Sequence, residues 1–269
     1  MAAALLAAAL ALAAPPAKGV LLERLTWIEA EKALTPSTVI VVPLGAASKE
    51  HGPHLLLSND AILAEHLRND LLARADVVVA PSIPYSFYPA FVEYPGSVSL
   101  RLETARDTFV DVCRSLARFG PRRFYVLNTG ISTLRALKPA SEELAKEGVL
   151  MRYTDLGAIL DPVEKEVAKQ EGGTHADEAE TSMLLWIEPA SVDMKKAVKD
   201  YHPGKGPLSR TPGPNVVFSA TGVWGDATLA TKEKGERLWK ALVEGVVRDV
   251  EELRRAPVPP RVEPAAGAR

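Results

Sequence analysis

The chain has 269 residues, room for one large domain or two small ones, and its 47% hydrophobic and 25% charged residues match a globular protein with a sizeable core. A net charge of -2 gives no electrostatic footprint for nucleic acid or an anionic membrane surface. One cysteine, Cys113, excludes an internal disulfide and reads as a small core residue.

After the initiator, residues 2–14 are Ala and Leu throughout, followed by Pro15-Pro16-Ala17-Lys18. The run is too short to span a bilayer as an ordinary helix but suits the apolar region of a signal peptide, and Ala11-Leu12-Ala13 offers a small-x-small cleavage site. No Lys or Arg precedes it, so the alternative is an Ala-rich extension. The expectation is export, with a signal peptide within residues 1–17, cleavage near Ala13 and no membrane span left in the mature chain.

Residues 25–33 suggest a short helix closed by Pro36, and 38–44 (TVIVVPL) a buried strand ending at Gly45. Ile62, Leu63, Leu67, Leu71 and Leu72 give helical spacing over 61–75; a short strand follows at 77–80. The loop 81–96 carries Tyr85, Phe87, Tyr88, Phe91 and Tyr94, aromatics that either wall a pocket or pack on the core. Helices are expected at 105–119, 134–146, 177–187 and 232–254, and strands at 124–127 and 150–153. Four prolines and three glycines in 201–215 suggest an ordered loop or a flap. The tail 257–269 (PVPPRVEPAAGAR) has too little apolar content to pack and is expected to be disordered. Strands alternating with amphipathic helices predict a single α/β domain over 20–256, a mainly parallel sheet covered by helices on both faces. Ligands of such sheets bind at the carboxyl ends of the strands.

Three segments lie where chemistry is expected. Lys49-Glu50-His51-Gly52-Pro53-His54, with Asp60 soon after, groups two of five histidines with two acids directly after a buried strand. Imidazole and carboxylate suit zinc or manganese, although each residue alone has a plain structural explanation. In Thr174-His175-Ala176-Asp177-Glu178-Ala179-Glu180, His175 and Glu178 are spaced to share a face if the helix includes both. The acids also fit a helix start, whereas a histidine there is unfavourable unless neutral, as a ligand or general base would be. Asn128-Thr129-Gly130-Ile131-Ser132-Thr133 has no titratable group; its hydroxyls could orient a substrate or merely cap a helix.

Taken together these segments resemble the creatininase family. Glu50-His51-Gly52-Pro53-His54-Leu55 with Asp60 is similar to the family's E-H/Q-H-G-P-H-L-P-L-x-x-D signature. The stretch 94–100 (YPGSVSL) is similar to F-P-G-T-x-S-L, 175–182 to H-A-G-E-x-E-T-S, and Gly222-Val223-Trp224-Gly225-Asp226 with Ala230-Thr231 to G-V-x-G-D…A-T. The resemblance implies an amidohydrolase with one or two divalent ions, zinc or manganese, acting on a small amide or cyclic amide, often as a homohexamer. It implies that His51, Asp60 and Glu178 are metal ligands, Glu178 thereby part of the catalytic set, and that His175 shuttles a proton to the leaving amine; His54, Thr129 and Ser132 could hold substrate. In the family pattern a glutamate ligand lies two positions before the first histidine, where this chain has Lys49; Glu50 would serve instead. A histidine ligand in N-G-H-G-G-N is replaced by Gly130. These departures leave a second reading: an exported, catalytically silent relative that binds a small ligand.

Overall fold

The computed structural model describes residues 17–262. The leader, residues 1–16, and the end of the tail, 263–269, lie outside the described residues.

Five parallel strands form one sheet in the order β1-β3-β2-β4-β5: β1 (Val20–Leu21), β2 (Val39–Leu44), β3 (Val78–Val79), β4 (Arg123–Asn128) and β5 (Leu150–Tyr153). Seven α-helices stand among the described residues: α1 (Trp27–Ala33), α2 (Asn59–Arg74), α3 (Leu102–Ala117), α4 (Leu134–Lys146), α5 (Leu156–Val167), α6 (Glu178–Ile187) and α7 (Lys232–Arg255). None is long and apolar enough to cross a membrane.

Because strand side chains alternate, a strand buried on both faces serves two cores. Val39 and Val41 of β2, with Tyr125 and Leu127 of β4, meet α2, α5, α6 and α7. Ile40, Val42 and Leu44, with Phe124 and Val126, meet α3 and α4. Each fully buried Val or Leu stabilises the fold by about 1.5–3 kcal/mol. The apolar runs of β2 and β4 therefore fix the two-sided arrangement expected from the sequence.

Local signals set the helix starts. Thr26 and Glu29 form a reciprocal capping box on α1, and Asp177 Oδ1 accepts the Glu180 amide at the start of α6. The helix α5 was not among the sequence expectations; Gly157 and Pro162 interrupt its pattern, while Asp155 Oδ1 accepts from the Ala158 amide and caps it. Helices α6 and α7 cross closely at Gly235, where a Cβ would collide with the Ser182 carbonyl. Residues 257–262 continue past α7, with Arg261 bridging Glu147 and the Val262 amide donating to the Lys146 carbonyl at 2.8 Å.

Candidate metal centre

β2 ends at Leu44, level with Asn128 at the end of β4. At Gly45 the chain passes the first turn of α2 so closely that a Cβ would strike the Asp60 carbonyl and lie 2.8 Å from Ala61 Cα. Glycine thus lets Asp60 reach the strand ends. The loop between them is pinned by Lys49 N to Leu57 O at 2.9 Å and Glu50 N to Ser97 Oγ at 2.9 Å. His51, His54 and Asp60 end up buried.

His51 stands at the centre of the cluster. Its Nδ1 lies 2.9 Å from the Lys49 carbonyl, which can only accept, so Nδ1 carries the proton. Its Nε2 is 2.8 Å from Asp60 Oδ1 and 3.4 Å from Glu180 Oε1. With Nδ1 so engaged, Nε2 is the ring nitrogen that faces the two carboxylates, and imidazole with carboxylates is the donor set of a zinc or manganese ligand. Donor atoms of His51, His175 and Glu180 all lie within 4.8 Å of one another. The residues present fit a divalent ion.

The carboxylate that arrives from α6 is Glu180, not Glu178. Glu180 is held by Asn59 Nδ2 on Oε1 and by the Ala176 amide on Oε2, both at 2.8 Å. Glu178 turns the other way: its Oε2 accepts the Lys169 and Gln170 amides at 2.8 and 2.7 Å, and Oε1 is paired with Lys234. The structure does not bring Glu178 to the cluster. The physical reason is that α6 begins at Glu178, so His175 lies outside the helix and the three-residue spacing has no helical meaning. His175 is instead bridged to Trp224, and Ala176 reverses the chain at φ +48°, a conformation an alanine seldom takes.

His175 Nε2 lies 3.0 Å from the Glu50 carbonyl and 3.2 Å from its Oε2, while Nδ1 lies 3.9 Å from Glu180 Oε2. Burial acts to lower the His175 pKa, but the Glu50 carboxylate outweighs it and raises the pKa above the usual imidazole value. The carboxylate, rather than the helix terminus, therefore governs the charge of His175. Glu50 is occupied behind the imidazole: its Oε1 takes the Gly52 amide and its Oε2 the histidine.

Asp60 also meets Lys49, whose Nζ sits 2.7 Å from Oδ2 as a charge contact rather than a well-directed hydrogen bond. Burial acts to raise the Asp60 pKa, but Lys49 and then His51 hold the carboxyl well below the usual carboxylate range. A cavity of about 340 Å³ opens on this centre, lined among others by Lys49, Phe91, Thr129, Ser132, His175 and Glu180. Of the aromatic loop, Phe91 reaches it, with its ring 4.5 Å from that of His175. The 201–215 loop borders it through Gly206 and Leu208.

Among the expected substrate-binding residues, Thr129 and Ser132 line the cavity, but the Thr129 hydroxyl is committed to the Leu44 and Asp60 carbonyls, both at 3.1 Å. His54 is not in the lining; its Nε2 is 2.8 Å from Thr181 Oγ1, and burial pushes its pKa down to about 4. It supports α6 from below. Sequence reasoning missed Glu180 and Asn59. The resemblance held two glutamates, and successive helical residues turn by about 100°, so a two-residue step reverses the face.

The family model for creatinine amidohydrolase, named Creatininase, matches residues 23–250. The creatinine amidohydrolase of Pseudomonas putida is 27% identical over 264 residues, covering 87% of this chain and 97% of the relative. The mycofactocin precursor peptide peptidase of Mycobacterium tuberculosis (strain CDC 1551 / Oshkosh) is 31% identical over 233 residues, covering 80% and 86%. A solved structure described as "Creatininase Mn" superposes with a TM-score of 0.73 at 25% identity, over 88% of this chain and all of that one. With the family model spanning most of the sequence and the fold shared with a solved creatininase structure, the chain belongs to the creatininase family of hydrolases.

Proposed function

We propose that this chain is a metal-dependent amidohydrolase that cleaves the C–N bond of a small amide or cyclic amide, with zinc or manganese held by His51, Asp60 and Glu180. The observation that carries this reading is that His51, its Nδ1 held by the Lys49 carbonyl, places Nε2 2.8 Å from Asp60 Oδ1 and 3.4 Å from Glu180 Oε1. A bound divalent ion supplies Lewis acidity toward a carbonyl oxygen and lowers the pKa of a water.

The chain's own groups do the rest. Glu50 holds the Nε2 proton of His175, which leaves Nδ1 toward the cavity to carry a proton to the nitrogen that departs when the C–N bond breaks. Asn59 and the Ala176 amide keep Glu180 in place, and Thr129 fixes the Asp60 backbone. The Ser132 hydroxyl offers a donor to substrate in the cavity wall. Glu178 has no part in this set, since Lys234 and two amides use both its oxygens. The Ala/Leu leader supports export of the mature chain, and family membership supports a homo-oligomer.

The test is elemental analysis of purified protein after incubation with zinc or manganese, joined to a panel of cyclic amides, formamides and short peptides. The expected result is metal uptake with hydrolysis that a chelator abolishes and added metal restores. Protein that takes up no metal and hydrolyses nothing on the panel would leave the silent ligand-binding relative as the better reading.

A further inference from the structure

Asp60 turns its two oxygens toward different partners. Oδ1 faces His51 Nε2 at 2.8 Å, on the side where Glu180 also arrives. Oδ2 faces the Lys49 ammonium at 2.7 Å. Lys49 is itself buried, and its Nζ lies 4.8 Å from the centre of the Phe91 ring and 5.5 Å from that of Tyr88. A buried ammonium is costly unless it is compensated, and here a carboxylate and two aromatic faces compensate it. A carboxylate shared between two ions is the arrangement of two-metal hydrolytic sites, whose ions stand about 3.5–4 Å apart. In this chain the second charge is tethered to the backbone.

The surroundings of Lys49 point the same way. Gly130 offers no side chain; a Cβ there would meet Thr133 at 3.3 Å and the Tyr88 ring at 3.7 Å. Thr129 Oγ1 is committed to two carbonyls. Among the described residues, the group of donors able to converge on an ion is His51, His175 and Glu180, and none of the three is the partner of Asp60 Oδ2.

We propose that the Lys49 ammonium occupies the place beside Asp60 Oδ2 that a second divalent ion would need, so that the centre takes a single ion. This rests on the metal-dependent reading above and deepens it.

The experiment measures bound zinc per chain by elemental analysis and by calorimetric titration of chelator-stripped protein, without reference to turnover. The wild type and Lys49→Arg, which keeps the charge, are expected to saturate at about one ion per chain. Lys49→Gln removes the charge with little change of shape, and Lys49→Glu adds a ligand; both are expected to rise toward about two ions per chain, each variant checked for folding by circular dichroism. A wild type that binds two ions overturns the proposal and leaves the metal reading intact, even if neither neutral nor acidic variant folds. Folded Lys49→Gln and Lys49→Glu that stay at one ion also overturn it. No zinc in any form overturns the metal reading itself, and the proposal with it.

Discussion

Glu180 and Glu178 stand two residues apart on α6 and point to opposite sides of it. The first meets His51 Nε2 at 3.4 Å; the second is paired with Lys234 and receives two backbone amides. One glutamate faces the centre, and the other ties α6 to α7 and to the segment just after α5.

This gives a paired prediction. Glu180→Gln should lower metal affinity by at least roughly 10–100-fold while the fold persists, because the change is isosteric and leaves Asn59 an acceptor. Glu178→Gln should keep metal content and instead lose roughly 3–5 kcal/mol of stability, since Lys234 is left largely buried without its counter-charge. Chemical denaturation together with metal analysis separates them. Interchanged outcomes would return Glu178 to the centre.

His175 yields the second prediction. As the carrier of a proton at Nδ1, its replacement by alanine should leave metal content near that of the wild type and lower turnover roughly 10²–10⁴-fold on a confirmed substrate. Should metal and turnover fall together, with excess metal restoring part of both, His175 is a ligand. The readouts are bound metal and kcat measured on the same preparations.

The third concerns pH. Glu164 lines the cavity, and burial, then Asp177 and Asp161, raise its pKa from 4.5 to about 7. The folded state therefore favours the protonated acid more than the unfolded chain does. Its charge weighs against folding, so this contribution declines as pH rises from 4.5 to about 7 and stays low above that. Glu164→Gln removes the titration. The variant and wild type should melt alike near pH 4, and the variant should melt higher near pH 8. Equal melting temperatures at both pH values would show that Glu164 titrates normally.

Export is tested by mass. Protein from the native host is expected to begin near Ala14 and to be found outside the cytoplasm, as the Ala/Leu run of residues 1–14 and Ala11-Leu12-Ala13 suggest. An intact mass that retains Met1 in the cytosolic fraction would remove this expectation.

Much of the fold was legible in the sequence for a definite reason. The runs 38–44 and 124–127 carry apolar residues on both faces, which a sheet covered on both sides satisfies, and the structure puts helices on both. Helix α5 was hidden because a glycine and a proline break its period, while tertiary packing against α7 keeps it helical. Within the centre, His51 and Asp60 were legible because their loop follows a buried strand. The choice between Glu178 and Glu180 was not, because it depends on where α6 begins, and the cap at Asp177 sets that by a single residue. Nor could the sequence show that the Lys49 ammonium folds back on Asp60 beneath Phe91 and Tyr88.

The crossing at Gly235 couples the centre to a position that does not line its cavity. Helix α6 rests its Ser182 carbonyl where a side chain of α7 would otherwise stand, and Glu180 lies half a turn before that contact. The aim of the carboxylate is thus set by an absent methyl group. Any residue larger than glycine at 235 would act as a wedge between the two helices, levering Glu180 out of register with His51 while every residue of the centre stayed chemically unchanged. A search for activity lost by variation that stops at the cavity wall would overlook this position.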